Sequence, residues 1–165
     1  ADDDIYYSRR WLEALYAAYA KEPPYIHCHR AHRVKIDAEG NIMPYINWDW
    51  CVAPRNASYV NFLTSGGGVL FPPGCFHADI GREDLFSRLT PHADDIWYWA
   101  MAVLSGTQIK VLQENRQQMR EFDSARHASL YSTNRLEGGN DAQMANVLKY
   151  YPQLKEMLVS ATNQP

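Results

Sequence analysis

The sequence predicts one domain of mixed α and β structure that spans residues 1–165. Three observations lead to this fold class. Helical and strand patterns interleave along the chain, about four of each, which is typical of mixed α/β proteins. Hydrophobic residues make up 46% of the chain and charged residues 21%, the balance of a folded globular protein. A chain of this length buries roughly 70% of its unfolded surface, which is enough for one core.

The first part of the chain predicts a helix followed by short strands. Ser8 can cap a helix that runs to about Lys21 and ends at two prolines. Residues 25–36 predict a strand, and a turn leads from it to a second short strand at residues 42–43. Periodicity is lost over residues 44–65, and loops of this length inside a domain are usually functional or mobile.

The middle of the chain predicts two strands and two helices. A buried strand at residues 69–71 follows three glycines, and residues 83–89 predict a short helix. A second helix begins after Pro91 and ends at Gly106, because proline suits a first turn and glycine a helix end. Residues 108–112 then fit a strand.

The last part of the chain predicts a helical region after a polar stretch without clear pattern at residues 113–137. Asn140 can cap this region, with Gln143 in the reciprocal position of a capping box. Pro152 divides the region into two helices. We therefore expect a short mixed sheet flanked by about four helical regions.

Composition and charge exclude several classes of protein. Sixteen basic residues against 19 acidic ones give a net charge of -3, which argues against a nucleic-acid partner bound through a basic face. No apolar run approaches the ~20 residues of a membrane span, and the acidic start is the opposite of a signal peptide. Three cysteines without a paired motif argue against a disulfide framework. These features predict a cytoplasmic protein.

An acidic triplet, Asp2, Asp3 and Asp4, is the first candidate site. In an extended segment alternate side chains share a face, so Asp2 and Asp4 can converge on one hard cation while Asp3 points away. The alternative is a solvated acidic segment without a ligand.

A pair of carboxylates, Asp94 and Asp95, is the second candidate site. Both fall in the first turn of a predicted helix, where the helix dipole favours negative charge. The same position holds a carboxylate ionised and fixed, which suits a general base. Helix stabilisation alone is the alternative, and position does not separate the two.

The glycines Gly66, Gly67 and Gly68 form the third candidate site. Consecutive glycines let the backbone approach a ligand closely, although no phosphate-loop pattern surrounds them. A tight turn that leads into a buried strand is an equal alternative.

A histidine cluster, His27, His29 and His32, is the fourth candidate site. On a strand His27 and His29 share a face, as two zinc ligands could, but Arg30 and Arg33 place positive charge beside them. A hydrogen-bonded polar face is the stronger alternative, and the arginines could also meet an anionic ligand.

In order and spacing, these pieces resemble bacterial glycosyltransferases of the GT-A type, near the large inverting family 2. The resemblance covers nearly the whole chain to about Tyr151 and rests on five motifs, each weak alone. The motifs are residues 1–7 with 11–12, residues 28–33, residues 67–74, residues 93–97 with 100–102, and residues 138–143.

The resemblance implies a role for each candidate residue. Asp2, Asp3 and Asp4 would bind Mn²⁺ or Mg²⁺ and, through it, the diphosphate of a nucleotide-sugar donor. Asp95 would be the general base that deprotonates a hydroxyl of the glycan acceptor, with Asp94 as the next choice. The substrate-binding residues would be Gly66, Gly67, Gly68 and Trp97 on the acceptor side, together with His29 and Arg30.

One departure from the family sets a second expectation. In such enzymes the acidic motif follows a Rossmann-like N-terminal half that binds the nucleotide. This sequence begins at the motif. We therefore expect a partial GT-A-like fold, corresponding to the acceptor-side portion, whose exposed sheet edge favours a homo-oligomer. The predicted location is the cytoplasm, with the inner face of the membrane as an alternative expectation. The alternative function is a non-catalytic binding or self-associating module derived from a glycosyltransferase.

Overall fold

The computed structural model describes residues 5–53, 56–112, 120–121 and 138–162. The acidic triplet Asp2, Asp3 and Asp4 lies outside these residues. So does most of the polar stretch 113–137, apart from residues 120 and 121.

The described residues have mixed α and β structure, which confirms the predicted fold class at this level. They form five α-helices and seven short strands. In chain order these are β1 (Ile5–Tyr6), α1 (Trp11–Lys21), β2 (Ile26–Cys28), β3 (Ala31–Arg33), β4 (Asn61–Leu63), β5 (Val69–Leu70), α2 (Glu83–Leu89), α3 (Asp94–Leu104), β6 (Ile109–Val111), β7 (Arg120–Glu121), α4 (Gly139–Tyr150) and α5 (Gln153–Thr162).

The strands form three small sheets. Strand β2 is the centre of a mixed sheet, antiparallel to β5 and parallel to β6, so that His27 lies opposite both Leu70 and Lys110. Strands β3 and β4 form an antiparallel pair, as do β1 and β7. The predicted strand over residues 25–36 is therefore two strands in different sheets, with a break at His29 and Arg30.

Helix α3 is the centre of the core because nearly all of its residues are apolar. Seven of its eleven residues are buried, and it packs against β4, α4 and α5. Trp99 is fully buried in this helix, with its indole 5.6 Å from the Phe62 ring. The Trp99 Nε1–H donates to the Tyr59 carbonyl at 2.9 Å. The same helix carries both candidate carboxylates at its first turn, so the core fixes their position.

We expect Trp99→Phe to lower the free energy of unfolding by about 1–3 kcal/mol. The substitution removes the donor for the Tyr59 carbonyl and leaves part of the indole volume empty. Urea unfolding followed by circular dichroism measures the change. An unchanged unfolding midpoint would show that this hydrogen bond does not stabilise the core.

Two predicted helix starts are wrong, and the reason is backbone geometry. Arg10, not Ser8, precedes α1, and Ser8 contributes its carbonyl, which accepts from Trp11 N–H at 3.1 Å. Helix α4 begins at Gly139, after a left-handed Gly138 with φ 76°, so Asn140 lies inside the helix and caps nothing. Gln143 Nε2 instead donates to the Gly139 carbonyl at 3.0 Å, and its Oε1 accepts from His92 N–H at 2.9 Å.

Several other boundaries agree with the sequence. The short helix at residues 83–89 is confirmed, Gly106 follows α3 with φ 81°, and Pro152 separates α4 from α5. The strand predicted at residues 42–43 is reduced to a single bridge between Ile36 and Ile42. Strand β5 is half-buried rather than buried. Among the described residues, no helix is both long and apolar enough to pass through a bilayer.

Candidate active site at the glycine-rich turn

A tight turn at Ser65–Gly67 connects β4 to β5 and forms the centre of the candidate site. Gly67 N–H donates to the Thr64 carbonyl at 3.0 Å, and Gly68 N–H donates to the Ser65 carbonyl at 2.7 Å. Glycine is required at two positions for different reasons. A Cβ at Gly67 would lie 2.6 Å from Arg30 Cβ, and Gly68 has φ 95° and lies directly against the Trp11 indole.

Asp95 faces this turn from the first turn of α3. Its Oδ1 accepts a hydrogen bond from Ser65 N–H at 2.8 Å. The neighbouring Asp94 is exposed, and its Oδ1 accepts from Asp95 N–H at 3.0 Å. The two adjacent carboxylates therefore have different environments, since only Asp95 is held against the glycine-rich turn.

The environment of Asp95 makes it a stronger base than an ordinary aspartate. Burial is the main cause that raises its pKa to about 6, and the negative charge of Asp94 raises the pKa further. The hydrogen bond from Ser65 and the positive charge of Arg30 partly offset these effects. A carboxylate with a pKa close to the working pH can both accept and release a proton, as general acid–base catalysis needs.

The raised pKa predicts how Asp95 affects stability at different pH values. Since the pKa of the carboxyl is about 6 in the folded chain and 3.8 for a free aspartate, the protonated form stabilises the fold. This contribution is complete below about pH 4 and is lost as the pH rises through about 6. We expect Asp95→Asn to gain about 1–2 kcal/mol relative to the wild type between these limits, the shift being discounted for partial exposure.

Urea unfolding at several pH values measures this difference, and Asp84→Asn is the control. The pKa of Asp84 is lowered by its hydrogen bonds with Arg82, so its contribution is present above the usual pKa of an aspartate and is lost in acid. The two variants should therefore change in opposite directions with pH. A flat difference between Asp95→Asn and the wild type would mean that the Asp95 carboxyl has an ordinary pKa.

Arg30 brings positive charge to the same turn. Its Nε donates to Thr64 Oγ1 at 2.6 Å, and the Arg30 carbonyl accepts from Thr64 N–H at 3.3 Å. Thr64 is buried and immediately precedes the turn, so the guanidinium is anchored beside it while Arg30 stays half-buried. The structure therefore unites Arg30, the glycines and Asp95, which the sequence had suggested separately.

His29 and Trp11 both contact the glycine-rich turn at Gly68, and each has one buried polar atom without a hydrogen-bond partner among the described residues. His29 Nε2 is 3.0 Å from the Trp11 carbonyl, which only accepts, so Nε2 carries the hydrogen. Burial lowers the pKa of His29, which keeps the ring neutral and leaves Nδ1 as an acceptor. Within the described part of the chain, neither His29 Nδ1 nor Trp11 Nε1 has a hydrogen-bond partner.

Trp97, which the resemblance assigns to the acceptor side, is a buried residue of α3. Its side chain is 3% exposed, and its Nε1 donates to the Ile80 carbonyl at 3.0 Å. Its ring lines a cleft on the α2 side of α3 together with Asp94, whereas Asp95 bonds to the glycine-rich turn.

The three histidines do not converge. His27 Nε2 pairs with the Glu22 carbonyl, His29 Nε2 with the Trp11 carbonyl, and His32 Nδ1 accepts from Cys51 N–H. Among the described residues there is no group of three or more His, Cys, Asp or Glu side chains that could hold a metal ion. The geometry favours the hydrogen-bonded alternative over zinc for this cluster.

Sequence reasoning missed the residues that brace the turn. The Tyr7 hydroxyl donates to the Gly66 carbonyl at 3.1 Å, and the Tyr7 ring lies 4.7 Å from the Trp11 ring. Ser65 supplies the N–H that holds Asp95. These are long-range contacts or backbone groups, and no local pattern in the sequence marks them.

Comparison of the chain with known protein families, with curated proteins and with solved structures finds no match.

Proposed function

We propose that this chain is the acceptor-side portion of a metal-dependent, inverting glycosyltransferase with a partial GT-A-like fold. The reaction transfers a sugar from a nucleotide-sugar donor to a hydroxyl of a glycan acceptor. The observation that carries the proposal is Asp95, a half-buried carboxylate whose pKa is raised to about 6 and whose Oδ1 is held by Ser65 N–H.

Asp95 acts as the general base. Its carboxylate takes the proton of the acceptor hydroxyl while the acceptor oxygen forms a bond to the anomeric carbon of the donor. The bond from that carbon to the diphosphate breaks, and the nucleoside diphosphate leaves with the electron pair. The Ser65 N–H fixes one carboxylate oxygen, so the other is oriented for proton transfer.

The groups around the turn support binding of a polar, negatively charged substrate. Arg30 supplies the positive charge. Its hydrogen bond to Thr64 already orders the side chain, which limits the conformational entropy lost when a ligand binds. His29 Nδ1, an acceptor, and Trp11 Nε1, a donor, have no partner among the described residues, which leaves each available to a polar ligand. Gly67 and Gly68 keep the backbone close to these groups.

The metal would be Mn²⁺ or Mg²⁺, held by Asp2, Asp3 and Asp4. Carboxylate oxygens are the ligands that these hard cations prefer, and no described cluster competes for the role. When bound, the metal supplies Lewis-acid stabilisation of the leaving diphosphate.

Calorimetric titration of the chain with UDP and other nucleoside diphosphates, with and without Mn²⁺, tests the proposal. We expect binding that depends on the metal and that Asp95→Asn leaves unchanged. Absence of binding to every nucleoside diphosphate, or binding that ignores Mn²⁺, would contradict the donor-binding role. Metal-dependent binding without turnover of any sugar donor would instead favour the non-catalytic module.

A further inference from the structure

A cleft of about 520 Å³ lies between α2 and the N-terminal half of α3. Its volume falls in the range of small-molecule sites, about 300–1,000 Å³. The lining residues that matter for its chemistry are Phe86, Ser87, His92, Asp94, Trp97 and Tyr98.

From this lining we propose that the cleft binds the pyranose ring of a neutral sugar. A pyranose has apolar C–H faces and a rim of hydroxyl groups, so its site needs apolar rings beside a few oxygen acceptors and donors. The cleft between α2 and α3 combines both.

The apolar part of the cleft consists of rings held in fixed positions. Phe86 and Trp97 are in contact, with ring centroids 6.2 Å apart. The Tyr98 ring contacts the Phe71 ring, with 5.4 Å between the two centroids. Phe86 is 37% exposed, so part of its face is open to a ligand. Rigid aromatic side chains bind at low entropic cost, which favours stacking of a sugar face here.

The polar part of the cleft can hold sugar hydroxyls. One oxygen of Asp94 accepts from Asp95 N–H, and the other has no donor among the residues that the structure describes. A carboxylate accepts hydrogen bonds from hydroxyl groups, and the exposed Ser87 hydroxyl can both donate and accept. These two groups supply the directional contacts that a hydroxyl-bearing ligand needs.

Charge argues against an anionic ligand in the same cleft. No lysine or arginine is among the described residues that line it. The two arginines at the ends of α2 are engaged elsewhere: Arg82 binds Asp84 at 2.7 Å, and Arg88 lies over the Tyr150 ring at 5.6 Å. Although His92 also lines the cleft, a phosphate or carboxylate would meet the carboxylate of Asp94, which repels it.

The cleft and the proposed base are connected through the first turn of α3. Asp94 lines it, and Asp95 is the next residue of the same helical turn. Its use as the acceptor subsite rests on the proposed function, whereas the binding of a neutral pyranose does not. An experiment can therefore contradict the proposed function without contradicting pyranose binding in the cleft, and the reverse.

The test is saturation-transfer NMR on the chain with methyl glycosides of glucose, galactose, mannose and N-acetylglucosamine, without nucleotide or metal. We expect at least one glycoside to bind, and Phe86→Ala and Asp94→Asn to weaken its binding about tenfold each. Tyr16→Ala is the matched control, because Tyr16 is a 62% exposed aromatic residue on α1, outside this cleft. Asp95→Asn should retain glycoside binding.

Three results would overturn the inference. The first is that none of the glycosides binds. The second is that glucose 1-phosphate binds more tightly than methyl glucoside. The third is that Tyr16→Ala weakens glycoside binding as much as the two cleft variants do. Because Phe86 and Asp94 are exposed and Asp94→Asn keeps its size, both variants should fold. Retained glycoside binding with no metal-dependent nucleotide binding would contradict the proposed donor role alone.

Discussion

In an enzyme that contains both halves of the fold, Asp95→Asn should lower kcat for sugar transfer by about 100-fold or more while leaving donor binding intact. The amide keeps the size of the side chain, and its oxygen can still accept from Ser65 N–H. It cannot take a proton from the acceptor hydroxyl, so the loss falls on the chemical step. Release of nucleoside diphosphate from a panel of nucleotide sugars measures kcat, and calorimetry measures donor binding.

Asp94→Asn is the matched control on the same helical turn. Asp94 is exposed and raises the pKa of Asp95, so its removal should move the acidic limb of the pH–rate profile to lower pH. We expect its effect on kcat above pH 7 to be far smaller than that of Asp95→Asn. Equal losses in the two variants, or an unchanged kcat in Asp95→Asn, would remove Asp95 from the role of base.

Gly68→Ala should lower the free energy of unfolding by about 3 kcal/mol or more and misplace the turn that holds Asp95. An alanine Cβ would overlap Nε1 of Trp11, and φ 95° is strained for any residue with a side chain. Trp11 has little room to give way, because its ring lies against Tyr7 and stacks on His29. Urea unfolding measures the loss.

Gly74→Ala separates the two causes of this loss. Gly74 has a similar positive φ, 77°, but a Cβ there meets nothing within 4 Å. We expect it to cost about 1 kcal/mol from backbone strain alone. If the two variants lose the same stability, the contact between the turn and Trp11 contributes little.

Much of the fold could be predicted from the sequence, because its signals are local. The helix at residues 83–89, the end of α3 at Gly106 and the break at Pro152 follow from apolar periodicity and from glycine and proline chemistry. The division of residues 25–36 into two strands could not be predicted. It depends on His29 N–H donating to the Gly68 carbonyl and on Thr64 N–H donating to the Arg30 carbonyl, both contacts with a distant segment.

The candidate site was predictable in composition but not in arrangement. Asp95, Arg30 and the glycines could each be identified as candidates, and the structure brings them together. The difference between Asp94 and Asp95 could not be predicted, since both lie in one helical turn and only tertiary packing decides which one faces Ser65. The roles of Tyr7 and Trp11 depend equally on long-range packing. No sequence pattern predicted the cleft between α2 and α3.

The central claim is that burial and the neighbouring charge of Asp94 raise the pKa of Asp95 to about 6, which makes it a base suited to near-neutral pH. Its most direct test is a pH titration of the Asp95 side-chain carboxyl carbon by ¹³C NMR, assigned with Asp95→Asn. The account predicts a midpoint near pH 6, which moves to lower pH in Asp94→Asn. A midpoint at or below 3.8, the value of a free aspartate, would contradict it.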